Sequence, residues 1–159
     1  MTDGIVASVI GRSPIPTRHT ILLDHGQRDG LVEGGILLNG QGVIGRIIET
    51  SPRTSLAMLI SDPDSRIAGL VERSRESGLL VGQGGGLCEL IYLDAEADIV
   101  EGDRIMTAGV GGAFPKGLLL GIVSRVLRNT EAGTTSAIVR PAARLSQLED
   151  VLCLRPSSS

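Results

Sequence analysis

Short apolar runs separated by turn-forming residues are the feature that most constrains the fold of this chain. Runs of roughly four to eight residues rich in valine, isoleucine and leucine recur along it, and glycine, proline, asparagine and aspartate break them at short intervals. Twelve segments read in this way as strands, from "IVASVIGR" at 5–12 to "DVLCL" at 150–154, and only 143–150 has the spacing of a helical turn. Short strands without helical cover protect their edges by closing into barrels or sandwiches. The sequence therefore predicts an all-β protein with two small β-barrel-like domains of mainly antiparallel strands.

An internal echo supports the count of two barrels. The string "LVEG" at 31–34 returns as "IVEG" at 99–102, and "GRII" at 45–48 returns as "GIVS" at 121–124. The offset grows from 68 to 76 residues, so the second copy would carry eight additional residues, for which the loop "VGGAFPKG" is the candidate. Because such turns are common in β proteins, coincidence remains an alternative to duplication.

These patterns divide the chain into domains. We expect a first barrel over 1–65, a second over 66–143, and a C-terminal strand within 144–155 that returns to complete the first barrel. The polar residues of 156–159 have nothing to pack against and are expected to form a disordered tail.

Composition argues against several function classes. The chain has one tyrosine, one phenylalanine, no tryptophan and a net charge of -3, so it lacks both the stacking platforms and the basic patch typical of nucleic-acid binding. The shortage of aromatic rings also disfavours a carbohydrate-binding module. No apolar run approaches the roughly 20 residues of a membrane span, and the first residues do not resemble a signal peptide. The start of the chain is equally compatible with a piece of a longer protein whose anchor lies outside it.

The glycine-rich stretch "GLLVGQGGGLCEL" poses the sharpest local question. A phosphate-binding loop leads into a helix whose free N–H groups hold the anion, and the nucleotide-binding P-loop also requires a GK[ST] triplet. Here the glycines lead into the strand-like "LCELIYL", and the triplet is absent from the sequence. The sequence therefore predicts a hairpin turn at 84–86, where glycine tolerates positive φ angles.

The residues of a hydrolase or a metal site are sparse. His19 and His25 are the only histidines, and neither GxSxG nor GDSGG occurs, so we predict no catalytic residue. A two-barrel hydrolase with an unrecognised active site remains the alternative. The acidic "DAEAD" at 94–98 favours a solvated edge over a cation site, and Cys88 and Cys153 favour two buried small side chains over a disulfide. We predict no metal and no cofactor.

Two segments are candidates for partner binding. In "GVGGAFPKGLLLG", glycines free the backbone and Pro115 stiffens it, so Phe114 is either presented to a partner or folded back as a plug that closes the barrel. In "LCELIYL", alternation would place Leu90 and Tyr92 on one face of a strand that is apolar on both sides. Either the neighbouring barrel covers this strand so that both faces are buried, or one face is left for a partner. We therefore predict partner contacts at Phe114, Pro115, Leu90 and Tyr92.

Several longer strings carry a family resemblance. The series "VIGRSP", "NGQGVIGR", "GQGGGLCEL", "GGAFPKG" and "RPAARLSQLEDV" closely resembles the periplasmic part of the rod shape-determining protein family MreC, from about Val9 to Leu154. The resemblance implies two β-barrel-like domains of trypsin-like architecture without a catalytic triad. It also implies an N-terminal membrane helix and a dimerising coiled coil, which we expect to precede this segment.

The resemblance also implies a function. Members of the family are non-catalytic periplasmic scaffolds of the elongation machinery that control cell shape. They self-associate into dimers or filaments, contact the class B penicillin-binding transpeptidase, and work with MreD, RodZ and MreB. By this resemblance we expect a periplasmic location, with contact to the inner membrane only through the N-terminal anchor.

Overall fold

Twelve strands make up nearly all of the regular structure. The computed structural model describes residues 4–110 and 114–156, and its strands are β1 (Ile5–Arg12), β2 (Thr20–Leu23), β3 (Ile36–Leu38), β4 (Val43–Thr50), β5 (Ser55–Leu59), β6 (Arg66–Val71), β7 (Ser77–Gly82), β8 (Cys88–Leu93), β9 (Arg104–Thr107), β10 (Leu119–Asn129), β11 (Thr134–Pro141) and β12 (Asp150–Leu154). Two single turns of 3-10 helix, Gln27–Asp29 and Leu145–Gln147, are the only helices within those ranges. None of the described helical segments has the length and apolarity needed to cross a membrane.

The strands close into two barrels. The order around the first barrel is β1-β12-β3-β4-β5-β2, and the order around the second is β10-β11-β8-β7-β6-β9. Every pairing is antiparallel, and β12 closes the first barrel by pairing with both β1 and β3. The predicted all-β fold class is confirmed. The predicted tail at 157–159 lies outside the described residues.

The two barrels share one topology. Starting from β1 in the first barrel and β7 in the second, the orders become β1-β12-β3-β4-β5-β2 and β7-β6-β9-β10-β11-β8. Each strand of one barrel then has a counterpart at the same place in the other, with β12 equivalent to β6. The first barrel therefore receives its sixth strand from the end of the chain, whereas the second barrel begins with it.

The repeated "VEG" strings form the same turn in both barrels. The N–H of Gly34 donates to the carbonyl of Ile47 at 2.8 Å, and the N–H of Gly102 donates to the carbonyl of Val123 at 2.8 Å. Both glycines have positive φ, 85° and 91°, which side chains rarely adopt. The sequence offsets of 68 and 76 residues therefore mark structurally equivalent positions.

A second glycine pair lets two strands approach closely. At Gly45 in β4, an added Cβ would collide with the carbonyl oxygen of Met58 in β5. At Gly121 in β10, it would collide with the carbonyl oxygen of Arg140 in β11. The same close approach thus recurs at equivalent places in the two barrels, and it accounts for a glycine inside each strand.

The barrels are packed against each other. The apolar core of the second barrel also includes Ile36, Val43 and Ile60 from the first-barrel side of the chain. The thiol of Cys88 donates to the carbonyl of Ile60 at 3.3 Å across this junction. Both cysteines are free and buried, and burial raises the pKa of Cys88 to about 12 and that of Cys153 to about 11, so both thiols stay protonated at neutral pH.

The glycine-rich stretch is a hairpin turn between β7 and β8. The N–H of Gln83 donates to the carbonyl of Leu87 at 2.9 Å, and Gly84 and Gly86 adopt φ angles of 80° and 83°. The prediction of a turn is confirmed because the chain leaves the glycines as a strand that pairs with β7.

Candidate functional site

Phe114 lies inside the second barrel. Only 6% of its surface is exposed, and it belongs to the apolar core of that barrel. Thr107 holds the returning loop, since its hydroxyl donates to the carbonyl of Pro115 and accepts the N–H of Leu118 at 2.8 Å. Of the two alternatives for Phe114, the burial of its ring matches the plug. Part of the predicted loop, 111–113, lies outside the described residues.

A β-bulge in β8 places Leu90 and Tyr92 on opposite faces of the strand. Leu90 is fully buried, whereas 80% of the surface of Tyr92 is exposed. Ala137 of β11 pairs with Leu90 but Thr135 pairs with Leu93, so β8 contains one residue more than β11 between these pairs. The predicted alternation is therefore wrong at Tyr92, because the additional residue shifts everything beyond it to the other face.

Tyr92 has an unusual backbone conformation as well as an exposed ring. Its φ angle is 64°, and a non-glycine residue in this region carries a strain of about 1 to 2 kcal/mol. Its neighbour Ile91 pairs with Leu79 of β7, and both of these side chains are half-buried. We call Leu79, Ile91 and Tyr92 the Tyr92 patch. Because both barrels are closed, a partner of this patch would bind to side chains rather than to a free strand edge.

The first histidine has a serine partner but no triad. The Nδ1 atom of His19 lies 2.7 Å from the hydroxyl of Ser61, next to the junction of the two barrels. The carboxylate of Asp62 accepts the backbone N–H of His19 at 2.7 Å, not a ring N–H. Ser61 is only 1% exposed. A nucleophilic serine needs an oriented imidazole and access to a substrate, and this arrangement provides a hydrogen bond inside the protein instead.

The second histidine lies among carboxylates at the surface. His25 places its Nδ1 atom 3.0 Å from Asp29 and its Nε2 atom 3.7 Å from Asp24. The hydrogen bond from His25, followed by that from the backbone of Gly26, lowers the pKa of Asp29. The hydroxyl of Ser55 donates to the backbone carbonyl of His25, not to its ring.

A charged cluster that the sequence reasoning missed holds the "IVEG" turn. The Nε atom of Arg73 lies 2.9 Å from Asp103, and its Nη2 atom lies 2.8 Å from Asp98. Asp103 is buried, and it also accepts the N–H of Val100 at 2.9 Å. The bonds to Arg73 lower the pKa of both carboxyl groups and, with Asp103 contributing most, raise the pKa of Arg73. Asp98 belongs to the acidic "DAEAD" and is 61% exposed, so this ion pair lies on a solvated part of that run. Within 4–110 and 114–156 no group of three or more histidine, cysteine, aspartate or glutamate side chains is arranged so that it could hold a metal ion.

The fold and the exposed side chains define a class of protein first. Two closed antiparallel barrels of equivalent topology, with an aromatic side chain displayed on an outer wall, make a two-barrel β protein suited to contacts with other proteins. The sequence model of the rod shape-determining protein MreC, barrel core, matches residues 9–155. The chain belongs to the MreC family, whose members are named for determining cell shape.

Individual relatives agree with this assignment. The cell shape-determining protein MreC of Cereibacter sphaeroides is 36% identical over 121 residues, which is 76% of this chain and 40% of that protein. The crystal structure of MreC from Pseudomonas aeruginosa is 29% identical, with a TM-score of 0.93 over 96% of this chain and 99% of that one. An MreC in complex with the penicillin-binding protein PBP2 of Helicobacter pylori has the same fold, with a TM-score of 0.74 at 18% identity over 97% of this chain and 98% of that one. This chain therefore spans about two fifths of the length of the Cereibacter relative.

Proposed function

We propose that this chain is the barrel region of a cell-shape scaffold that docks a penicillin-binding transpeptidase without catalysing a reaction itself. The family assignment supports the role in cell shape, and the Helicobacter pylori relative is named as a complex with PBP2. We extend the proposal to a periplasmic location, because the transpeptidase domains of such enzymes act on the cell wall. Self-association and joint action with MreD, RodZ and MreB remain predictions from the family resemblance.

The observation that carries the proposal is the Tyr92 patch. Tyr92 is 80% exposed on a strained backbone, beside the half-buried pair Leu79 and Ile91, so it lowers the stability of the fold without filling the core. A contact with a partner would account for the presence of a tyrosine at this position. Tyrosine is also among the residues that most often dominate the binding free energy of protein interfaces. Of the four predicted contact residues, Tyr92 alone combines a large apolar side chain with full access to a partner. Leu90 and Phe114 belong to the apolar core of the second barrel.

The test is a binding measurement between this chain and the ectodomain of the class B transpeptidase from the same organism. We expect Tyr92→Ala to weaken binding by about tenfold, the usual effect of removing a central interface aromatic. Val6→Ala is the matched control, because Val6 is an exposed apolar residue on the outer wall of the first barrel. Equal weakening by both variants, or by neither, would refute a contact at the Tyr92 patch.

One observation keeps the hydrolase alternative testable. The hydrogen bond between His19 and Ser61 is the only histidine–serine side-chain bond among the described residues. We expect a serine-reactive phosphonate probe to leave the chain unlabelled, because Ser61 is buried. Stoichiometric labelling of Ser61 that disappears in His19→Ala would favour the hydrolase over the scaffold.

A further inference from the structure

A groove runs along the junction of the two barrels. It consists of two adjoining cavities of about 280 and about 350 Å³, which share Gly86, Leu145 and Ser146 in their walls. The first cavity extends along the end of β1 and the segment that follows it, and the second extends along the end of β11 and the connection toward β12. We call this feature the inter-barrel groove.

The lining of the inter-barrel groove is basic in a chain that is acidic overall. The protein has 15 lysines and arginines against 18 aspartates and glutamates, yet the described residues that line the groove include four arginines and no acidic residue. The arginines are Arg12, Arg18, Arg140 and Arg144. Arg18 is paired with Asp64 at 2.6 Å, whereas no carboxylate lies within 4.0 Å of the other three in the described part of the chain. Three guanidinium groups are therefore available to an anionic ligand.

The walls between the arginines combine aliphatic side chains with small polar ones, and they contain no phenylalanine, tyrosine or tryptophan. Ile15 and Pro16 line the first cavity, and Leu145 lines both. Single-stranded nucleic acids bind through aromatic stacking as well as charge, so this lining does not suit them. A carboxylate-bearing peptide does fit, because guanidinium groups pair with carboxylates in a planar two-bonded geometry and aliphatic side chains can pack between them.

We propose that the inter-barrel groove binds an extended acidic peptide segment of a partner protein. Its carboxylates pair with Arg12, Arg140 and Arg144, and its aliphatic side chains pack against Ile15 and Leu145. The arginines come from β1, from β11 and from the connection after β11, so the site exists only when the two barrels are joined. This second surface is independent of the Tyr92 patch, which is formed by β7 and β8.

The test uses the whole chain and a fluorescein-labelled peptide that combines glutamates with leucines, followed by fluorescence anisotropy. We expect saturable binding that weakens as sodium chloride is raised, because salt screens exposed charge pairs. Replacing Arg12, Arg140 or Arg144 by glutamine should weaken binding by about threefold each, and the triple variant by roughly tenfold or more. Arg53→Gln, an exposed arginine outside the groove, is the matched control. Tyr92→Ala should leave peptide binding unchanged, so this test is separate from that of the transpeptidase contact.

Three outcomes overturn the proposal. One is the absence of binding to the wild-type chain, and another is equal binding of a peptide in which glutamine replaces every glutamate. The third is tighter binding of inorganic polyphosphate than of the peptide, which would assign the groove to a phosphate polymer. Unchanged circular dichroism and melting temperature of the glutamine variants exclude loss of folding as the cause of weaker binding.

Discussion

The two barrels use the same turn but stabilise it differently. In the second barrel, Asp103 follows the glycine of the "IVEG" turn and binds Arg73. In the first barrel the equivalent residue is Gly35, where an added Cβ would lie 3.0 Å from both the Ile47 side chain and the Val32 carbonyl. The strand registers make Arg155 the counterpart of Arg73, yet it lies beside Gly30 rather than a carboxylate. Close packing therefore stabilises this turn in the first barrel, and an ion cluster stabilises it in the second.

The barrels also differ in how one hairpin is closed. Between β3 and β4 the chain turns within 39–42, where Asn39 accepts the N–H of Gln41 at 2.8 Å. Between β9 and β10 it makes a longer excursion that returns Phe114 to the core. Strain is unevenly distributed too, since Arg75 and Tyr92, the non-glycine residues with positive φ in the described chain, both belong to the second barrel. The second barrel therefore differs from the first by a longer hairpin connection and by two strained non-glycine residues.

Phe114→Ala should have the largest effect, because it removes the plug that only the second barrel possesses. A buried phenylalanine contributes about 3 to 5 kcal/mol, so we expect the melting temperature to fall by about 10 °C. Hydrogen exchange should accelerate in β9 and β10 more than in β3 and β4. Val110→Ala, an exposed residue of the same loop, is the control. An unchanged melting temperature for Phe114→Ala would show that the ring is not part of the core.

Gly45→Ala and Gly121→Ala test whether the barrels are equivalent in their strand packing. Each added methyl group would meet a backbone carbonyl oxygen that cannot rotate away, so we expect each variant to lose about 3 kcal/mol in denaturant unfolding. Gly40→Ala is the control, since nothing lies within 4 Å of its added Cβ. A difference between the two strand variants of more than about 1 kcal/mol would contradict equivalent packing.

Asp103→Ala should remove the ion cluster that stabilises the "IVEG" turn in the second barrel and that has no equivalent in the first. At pH 7 we expect the free energy of unfolding to fall by about 1 to 2 kcal/mol, because the buried carboxylate that accepts hydrogen bonds from Arg73 and Val100 is lost. The loss stays modest because Arg73 is partly solvated. The native pKa of Asp103 is lowered, so its contribution is present above the ordinary carboxyl pKa of about 3.9 and is lost as the pH falls further. The melting temperatures of variant and wild type should therefore converge below about pH 4.

The control for Asp103 comes from the first barrel. Arg155 is the counterpart of Arg73, and no carboxylate lies within 4.0 Å of it in the described part of the chain. Arg155→Ala should therefore leave the melting temperature unchanged. A deficit of Asp103→Ala that stays constant from pH 7 to about pH 3 would contradict the charged bond and indicate packing alone.

The fold was predictable because its signals are local. Each strand carries its own apolar run and each turn its own glycine, proline or asparagine, so the twelve segments from β1 to β12 could be read one at a time. The repeated strings "LVEG" and "IVEG" also indicate two copies from the sequence alone. Closure followed from the absence of any helix to cover the strand edges.

The surface features were not predictable because they depend on distant pairings. The bulge at Tyr92 exists only in relation to Thr135 and Ala137, more than 40 residues further along the chain. The inter-barrel groove likewise combines Arg12 with Arg140, whose proximity no sequence pattern signals. Alternation gave the correct face for Leu90 and the wrong one for Tyr92, since a single inserted residue reverses every face after it.

Tyr92→Asn should have the smallest effect on stability, and it tests whether the strained backbone at Tyr92 serves a partner contact. Asparagine tolerates positive φ, so the variant should gain about 0.5 kcal/mol while losing affinity for the transpeptidase ectodomain. Arg75→Asn, at a φ of 69° in the same barrel, should gain as much without any change in binding. If binding falls in Tyr92→Asn alone, strain in the second barrel is retained at that position for contact with a partner. A loss of stability in Tyr92→Asn would mean that the tyrosine supports the barrel, and the asymmetry between the barrels would then be structural rather than functional.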